Sequence, residues 1–120
     1  AGAMGQIEGG VLMGVGYAMI EDFAVYEGQP VNPNWLDYKL PTTQDAPALE
    51  TVLIETESPS GPYGAKGLGE MVQLGTSAAI ANAVYDAVGV WITSLPVTPE
   101  KVLTALREKE TAGGNKIKRG

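Results

Sequence analysis

The run Gly61-Pro-Tyr-Gly64-Ala-Lys66-Gly67-Leu-Gly69-Glu70 places four glycines, one cation and one carboxylate within ten residues. Glycine lets the backbone take positive φ angles and approach a ligand closely. Successive free N–H groups form a concavity suited to an anion. Lys66 can add a full positive charge to it. Glu70 follows the last glycine and precedes an apolar segment, the place where a tight loop leads into a helix. A carboxylate held there can serve as a general base. The plainer reading is a glycine-rich surface turn with a solvated glutamate. The run is not a nucleotide fingerprint. It lacks the Lys-Ser/Thr ending of a P-loop, and its glycines do not fit Gly-x-Gly-x-x-Gly.

Composition narrows the chemistry further. The chain has 120 residues, a length that suits one domain at most. Hydrophobic residues make up 44%, enough that a folded core is expected rather than disorder. With 14 acidic and 8 basic residues the net charge is −6, which argues against non-specific nucleic-acid binding. Lys116, Lys118 and Arg119 are too few and too glycine-flanked to reverse that. Cysteine and histidine are both absent. This rules out disulfides, iron–sulfur ligation by this chain and zinc sites of the usual Cys/His kind. It also rules out Ser-His-Asp and Cys-His catalytic sets. Acid–base work falls to carboxylates, Lys or Tyr.

The elements that would position the loop are legible as patterns. Residues 6–21 carry Ile7, Val11, Leu12, Val15, Ala18 and Met19 at helical spacing. Glycines at 9, 10, 14 and 16 each cost such a helix about 1 kcal/mol. Close approach of another backbone or of a ligand would explain them. Residues 23–26 read as a short strand, 27–30 as a turn and 34–39 as a second strand closing a hairpin. Residues 51–57 read as a β-branched strand. A second helix lies within 71–88, with Thr76 or Ser77 as N-cap and Gly89 as stop. Residues 90–93 read as a short strand. Thr98-Pro99-Glu100 opens a last helix whose inner stripe is Val102, Leu103 and Leu106. The expected class is α+β, with a small mixed or antiparallel sheet and about three helices. Residues 1–4 read as a tag remnant or an upstream segment, 5–110 as the folded unit, and 111–120 as a flexible tail. No leader or membrane span is read, so a cytoplasmic protein is expected.

Taken together, five blocks carry a resemblance to a known family. The glycine loop resembles the Gly-x-x-Gly-Ala-Lys-Gly-x-Gly-Glu segment of the molybdenum hydroxylases, the xanthine dehydrogenase and aldehyde oxidase family. Gly5-Gln6-Ile-Glu-Gly-Gly10, followed by Gly14-Val-Gly16, resembles its Gly-Gln-x-Glu-Gly helix. Asn32-Pro-Asn-Trp-Leu-Asp-Tyr-Lys-Leu-Pro41 resembles its Asp-Tyr-Lys-x-Pro segment. Residues 79–87 and 95–103 resemble its last two helices. The blocks occur in the family's order over about residues 5–107.

The resemblance implies a C-terminal piece of the molybdopterin-binding large subunit. It implies insertion of a water-derived oxygen into a carbon–hydrogen bond of an aldehyde or N-heterocycle. Glu70 would be the catalytic base. Gln6 would contact the cofactor through its side-chain amide, and the Gly67-Leu-Gly69 backbone would pass close to it. Lys66 would shape the loop or add positive potential. The cofactor would be a molybdenum-pyranopterin shared with further domains or partner chains. Iron–sulfur and FAD groups would sit only on other subunits or domains. No residue of this chain is expected to ligate the metal. Glu8, Asp37, Lys39 and Asp86 are read as caps, turns and ion pairs. Tyr63 either borders the substrate pocket or anchors packing.

The departure from the family is length, since a complete molybdenum-binding subunit is several times longer. Two other readings therefore stand beside the first. One is a non-catalytic truncated remnant that folds by self-association, as a homo-oligomer. The other is a small-anion module built on the glycine loop and Lys66.

Overall fold

The computed structural model describes the backbone of residues 1–117 and the side chains of residues 1–113. It has three helices and one two-stranded antiparallel sheet, in line with the α+β expectation. Helix α1 spans Gly2–Val15 and continues as a π-helical turn, Gly16–Ile20. The helix thus begins before residue 6. The wide turn closes through Glu21 N–H donating to Gly16 O at 2.8 Å, after which Glu21 is extended. Helix α2 spans Thr76–Val88 and ends at Gly89 in the left-handed conformation, φ 65°. Helix α3 spans Pro99–Ile117. It runs through residues 111–117, where a flexible tail was expected. Residues 118–120, with Lys118 and Arg119, lie outside the described residues.

Strands β1 (Val25–Tyr26) and β2 (Gln29–Pro30) pair with Tyr26 opposite Gln29. The hairpin is therefore tighter than the pattern predicts, and the second strand is not residues 34–39. The turn between the strands has positive φ at both Glu27 (48°) and Gly28 (78°). That is the two-residue geometry whose twist matches paired strands. Residues 34–39 instead form a turn organised by Asn34. Its side-chain oxygen accepts from the Leu36 and Asp37 amides at 2.9 and 3.2 Å. Its backbone carbonyl accepts from Tyr38 N–H at 2.8 Å. Asparagine competes for the backbone in this way, and the ladder is lost locally. The Tyr38 hydroxyl donates to Glu21 at 2.6 Å. That hydrogen bond, then desolvation, then the carboxylate's charge, raise the phenol above its ordinary value of 10.0.

Residues 51–57 are extended but have no ladder partner among the described residues, so the expected strand is not formed. Val52 and Ile54 are 77% and 83% exposed. Residues 90–93 likewise form no strand, though Val90 and Ile92 are buried. They join Val97 as a small core, and Val84 and Val88 of α2 and Val102, Ala105 and Leu106 of α3 pack on it. Leu103, expected in the inner stripe, is 48% exposed. Ala105 takes that place, because the contact face of α3 follows 102, 105 and 106. Two lysines tie the ends. Lys109 Nζ donates to Val88 O at 3.1 Å, satisfying a carbonyl at the C-terminus of α2. Lys101 Nζ donates to Pro96 O at 2.8 Å.

The π-helical turn after α1 reaches this core through Val97 N–H, which donates to the carbonyl of buried Ala18 at 2.6 Å. The chain is open. Its radius of gyration is 19.6 Å, against about 13–14 Å for a compact chain of this length. Among the described residues no helix is long and apolar enough to cross a membrane.

Candidate functional site

The glycine loop ends in a 3-10 turn, Glu70–Gln73, lying across α1. Two α1 glycines make this possible. A Cβ on Gly10 would lie 2.0 Å from Val72 Cγ2, and one on Gly14 would lie 2.4 Å from Thr76 Cβ. Gly10 and Gly14 are one helical turn apart, as Val72 and Thr76 are four residues apart along the facing segment. The helix cost of these glycines is thus explained by close packing. Ser77 Oγ adds a hydrogen bond to Gly14 O at 3.3 Å. Neither Thr76 nor Ser77 caps α2, because both side chains are turned to α1. The N-cap position is Gly75.

Between the turn and α1 lies a cavity of 480 Å³. Gly5, Gln6, Gly9 and Met13 line it from α1, Tyr17 from the π-helical turn that continues it, and Gly69, Glu70 and Gln73 from the loop. The α1 residues recur every three to four positions, so they share one face. Gln6 Nε2 donates to Gly69 O at 2.9 Å, bridging 63 residues of sequence. The nitrogen of the Gln6 side-chain amide is therefore engaged in holding the loop. Glu70 is exposed at the cavity, next to that bridged peptide. Gln6, Gly69 and Glu70 are thus brought together.

Gly67 is not part of this cavity. It lines a separate groove with Lys66, Thr56 and Glu57. The Lys66 ammonium hydrogen-bonds the Thr56 hydroxyl there, on the side of the extended 51–57 segment. Lys66 and Glu70 therefore face different spaces. Tyr63 has φ 54° and is fully exposed, so it neither lines the cavity nor anchors packing. Met13, Tyr17 and Gln73 were not singled out from the sequence. Gln73 carried one readable signal, its place three residues after Glu70. In a 3-10 turn, positions i and i+3 eclipse and face the same way.

Residues 1–47, which contain the α1 wall of the cavity, match the family model of the molybdopterin cofactor-binding domain. The xanthine dehydrogenase molybdenum-binding subunit of Escherichia coli O157:H7 is 45% identical over 102 residues, 83% of this chain. The chain belongs to the molybdenum hydroxylase family. A second relative, the 6-hydroxypseudooxynicotine dehydrogenase complex subunit gamma of Paenarthrobacter nicotinovorans, is 43% identical over 104 residues, again 83% of this chain. Among molybdenum hydroxylase structures, quinoline 2-oxidoreductase from Pseudomonas putida 86 superposes with a TM-score of 0.80 at 35% identity, over 88% of this chain. The chain spans 14% of the Escherichia coli subunit, 13% of the Paenarthrobacter subunit and 14% of the quinoline enzyme chain.

The residues present suit the cofactor that this family binds. Gln73 borders the cavity, while its side-chain oxygen is shut away from solvent with no hydrogen-bond partner. An added Cβ at Gly5 or Gly9 would meet no atom within 4 Å, so the cavity-lining backbone of α1 is open to a flat guest. A volume of 480 Å³ holds part of a large cofactor rather than all of it.

Proposed function

We propose that this chain supplies the catalytic base and one wall of the cofactor pocket in a molybdenum-pterin oxidoreductase that hydroxylates an aldehyde or N-heterocycle. The observation that carries the reading is the Gln6–Gly69 hydrogen bond, which sets Glu70 at the edge of the cavity behind the molybdopterin-domain match. When bound, the molybdenum-pterin group supplies the two-electron redox chemistry. Glu70 takes the proton that leaves oxygen as the new carbon–oxygen bond forms, a task for a carboxylate within hydrogen-bond reach. Gln6 acts on Glu70 by fixing the preceding peptide. Gly69 keeps the loop thin against the cofactor, and Gly67 shapes the loop from its far side. The remaining cofactor contacts, the iron–sulfur and FAD groups and the electron acceptor belong to other domains or subunits. A relative named as one subunit of a dehydrogenase complex supports that division. A cytoplasmic location goes with the reading.

Molybdenum per chain, measured by elemental mass spectrometry on protein drawn from its own host, tests the reading. Near-stoichiometric metal with co-purifying subunits is the expected result. Metal-free protein from a host that makes the cofactor would overturn it.

The exposed apolar side chains favour one second reading, a non-catalytic remnant that self-associates. Trp35 and Leu36 are 78% and 79% exposed, and Val52 and Ile54 are more than three-quarters exposed. Such surface is normally covered by a partner. Light scattering separates the two. A stable homo-oligomer without metal supports the remnant, and a clean monomer opposes it.

A further inference from the structure

Residues 51–57 have the composition of a strand and lack the partner a strand needs. Thr51, Val52, Ile54 and Thr56 are β-branched. The backbone N–H and C=O groups of this extended segment make no hydrogen bond among the described residues. Such a row of unpaired groups is a template for another strand. Side chains alternate between the two faces of a strand, so Val52, Ile54 and Thr56 share one side. Val52 and Ile54 are largely exposed on that side, and Leu53 on the other is half exposed. Ile54 also lines the groove beside the glycine loop, together with Leu68 and Met71. Open backbone and open apolar surface therefore coincide. The Lys66–Thr56 hydrogen bond ties this edge to the loop that ends at Glu70.

We propose that residues 51–57 are a docking edge for a β-strand from the remainder of a molybdenum-binding subunit, a strand that carries Lys or Arg. This rests on the reading above and deepens it. Two observations choose that occupant. The chain spans 14% of the Escherichia coli subunit and 14% of the quinoline enzyme chain, so the larger part of such a subunit lies outside it. The run Glu50–Glu57 carries three carboxylates and no cation. A second copy of this chain is therefore the wrong partner. Antiparallel pairing about the centre of the run sets Glu50 against Glu57, and in-register parallel pairing sets each carboxylate against its own copy. Like charges directly opposite destabilise a ladder, whereas a basic strand meets the same carboxylates favourably. Main-chain hydrogen bonds supply the affinity of such an added strand, and its side chains supply the specificity.

Hydrogen exchange read by mass spectrometry tests the edge on two samples, the full chain expressed alone and the complex drawn from its host. In the lone chain the 51–57 amides should exchange as fast as those of an unstructured peptide. In the complex about half of them should slow by about 100-fold or more, because alternate amides of a strand point to opposite edges. Leu53→Pro and Ile54→Pro each remove one amide donor, on opposite edges. At least one of them should cut recovery of the complex about tenfold, the effect of one lost hydrogen bond. Neither should move the thermal midpoint of the lone chain, where neither amide is bonded among the described residues. Undiminished recovery with both variants overturns the proposal. So does slowing in the lone chain that grows with its concentration, which would mean pairing of two copies. Fast exchange in a metal-bearing complex overturns it as well and leaves the functional reading standing. Slowed amides in a metal-free complex fail that reading instead and support the docking edge.

Discussion

Glu70→Gln should lower kcat by about 10²–10⁴-fold while leaving molybdenum and pterin per chain unchanged. The substitution keeps the size and shape of the side chain and removes only its capacity to accept a proton. Three features make it a clean test. Glu70 is exposed, so no buried charge is stranded by its loss. The loop is held by Gln6 through the backbone carbonyl of Gly69, a bond indifferent to the side chain at position 70. The turn packs on α1 through Val72, not through Glu70. Turnover of an aldehyde or N-heterocycle by the assembled enzyme is the readout, with elemental analysis alongside. Near-parental kcat would remove Glu70 from the mechanism. Loss of metal together with turnover would make it a binding group rather than a base.

Gly10→Ala should be the most disruptive small substitution in α1. Its new methyl would sit 2.0 Å from Val72 Cγ2 and 2.9 Å from Val72 Cβ. Those are not the loose ends of a flexible side chain, so the turn must move off the helix. Overpacking of this kind costs about 1–3 kcal/mol. Replacing glycine by alanine in a helix returns about 1 kcal/mol. The net loss is then up to about 2 kcal/mol, seen in denaturant unfolding of the full chain. Gly9→Ala is the control, since a Cβ there meets nothing within 4 Å. It should be neutral or stabilising. Combining Gly10→Ala with Val72→Ala should return part of the loss, with a coupling energy of about 1 kcal/mol. The displaced turn carries Glu70 and follows the Gly69 carbonyl that Gln6 holds, so cofactor content should fall with stability. A Gly10→Ala protein as stable as its parent would show that the close packing of turn on helix is not what holds the site.

The parts that were legible in the sequence are those governed by local chemistry. Helical spacing marked α1, α2 and α3, and Thr98-Pro99-Glu100 placed the start of α3, where Thr98 Oγ1 accepts from Lys101 N–H at 3.3 Å. Gly89 ended α2 in the left-handed conformation that glycine permits. What failed was what depends on a partner. A strand is completed by the neighbour it pairs with, and residues 51–57 have none among the described residues. The hairpin register was misplaced because the choice lay between two local devices, a two-residue turn at 27–28 and the Asn34 side chain. Thr76 and Ser77 had the chemistry of caps, but packing against Gly14 claimed them.

The same division holds at the site. Residue types alone exclude metal or nucleophile chemistry based on Cys or His, and mark the carboxylate after a glycine loop as the group to watch. The sequence motifs also pointed to the molybdenum hydroxylases, because those blocks are short, contiguous and ordered. It takes the packing of loop on helix to bring Gln6 across 63 residues to Gly69, to line separate spaces with Lys66 and Gly67 on one side and Glu70 on the other, and to shut in the Gln73 oxygen without a partner. Residue type and local spacing set what each side chain can do. Which space it faces follows from how helix and loop pack, and two glycines with their facing Val72 and Thr76 set that packing through van der Waals contact between residues distant in sequence.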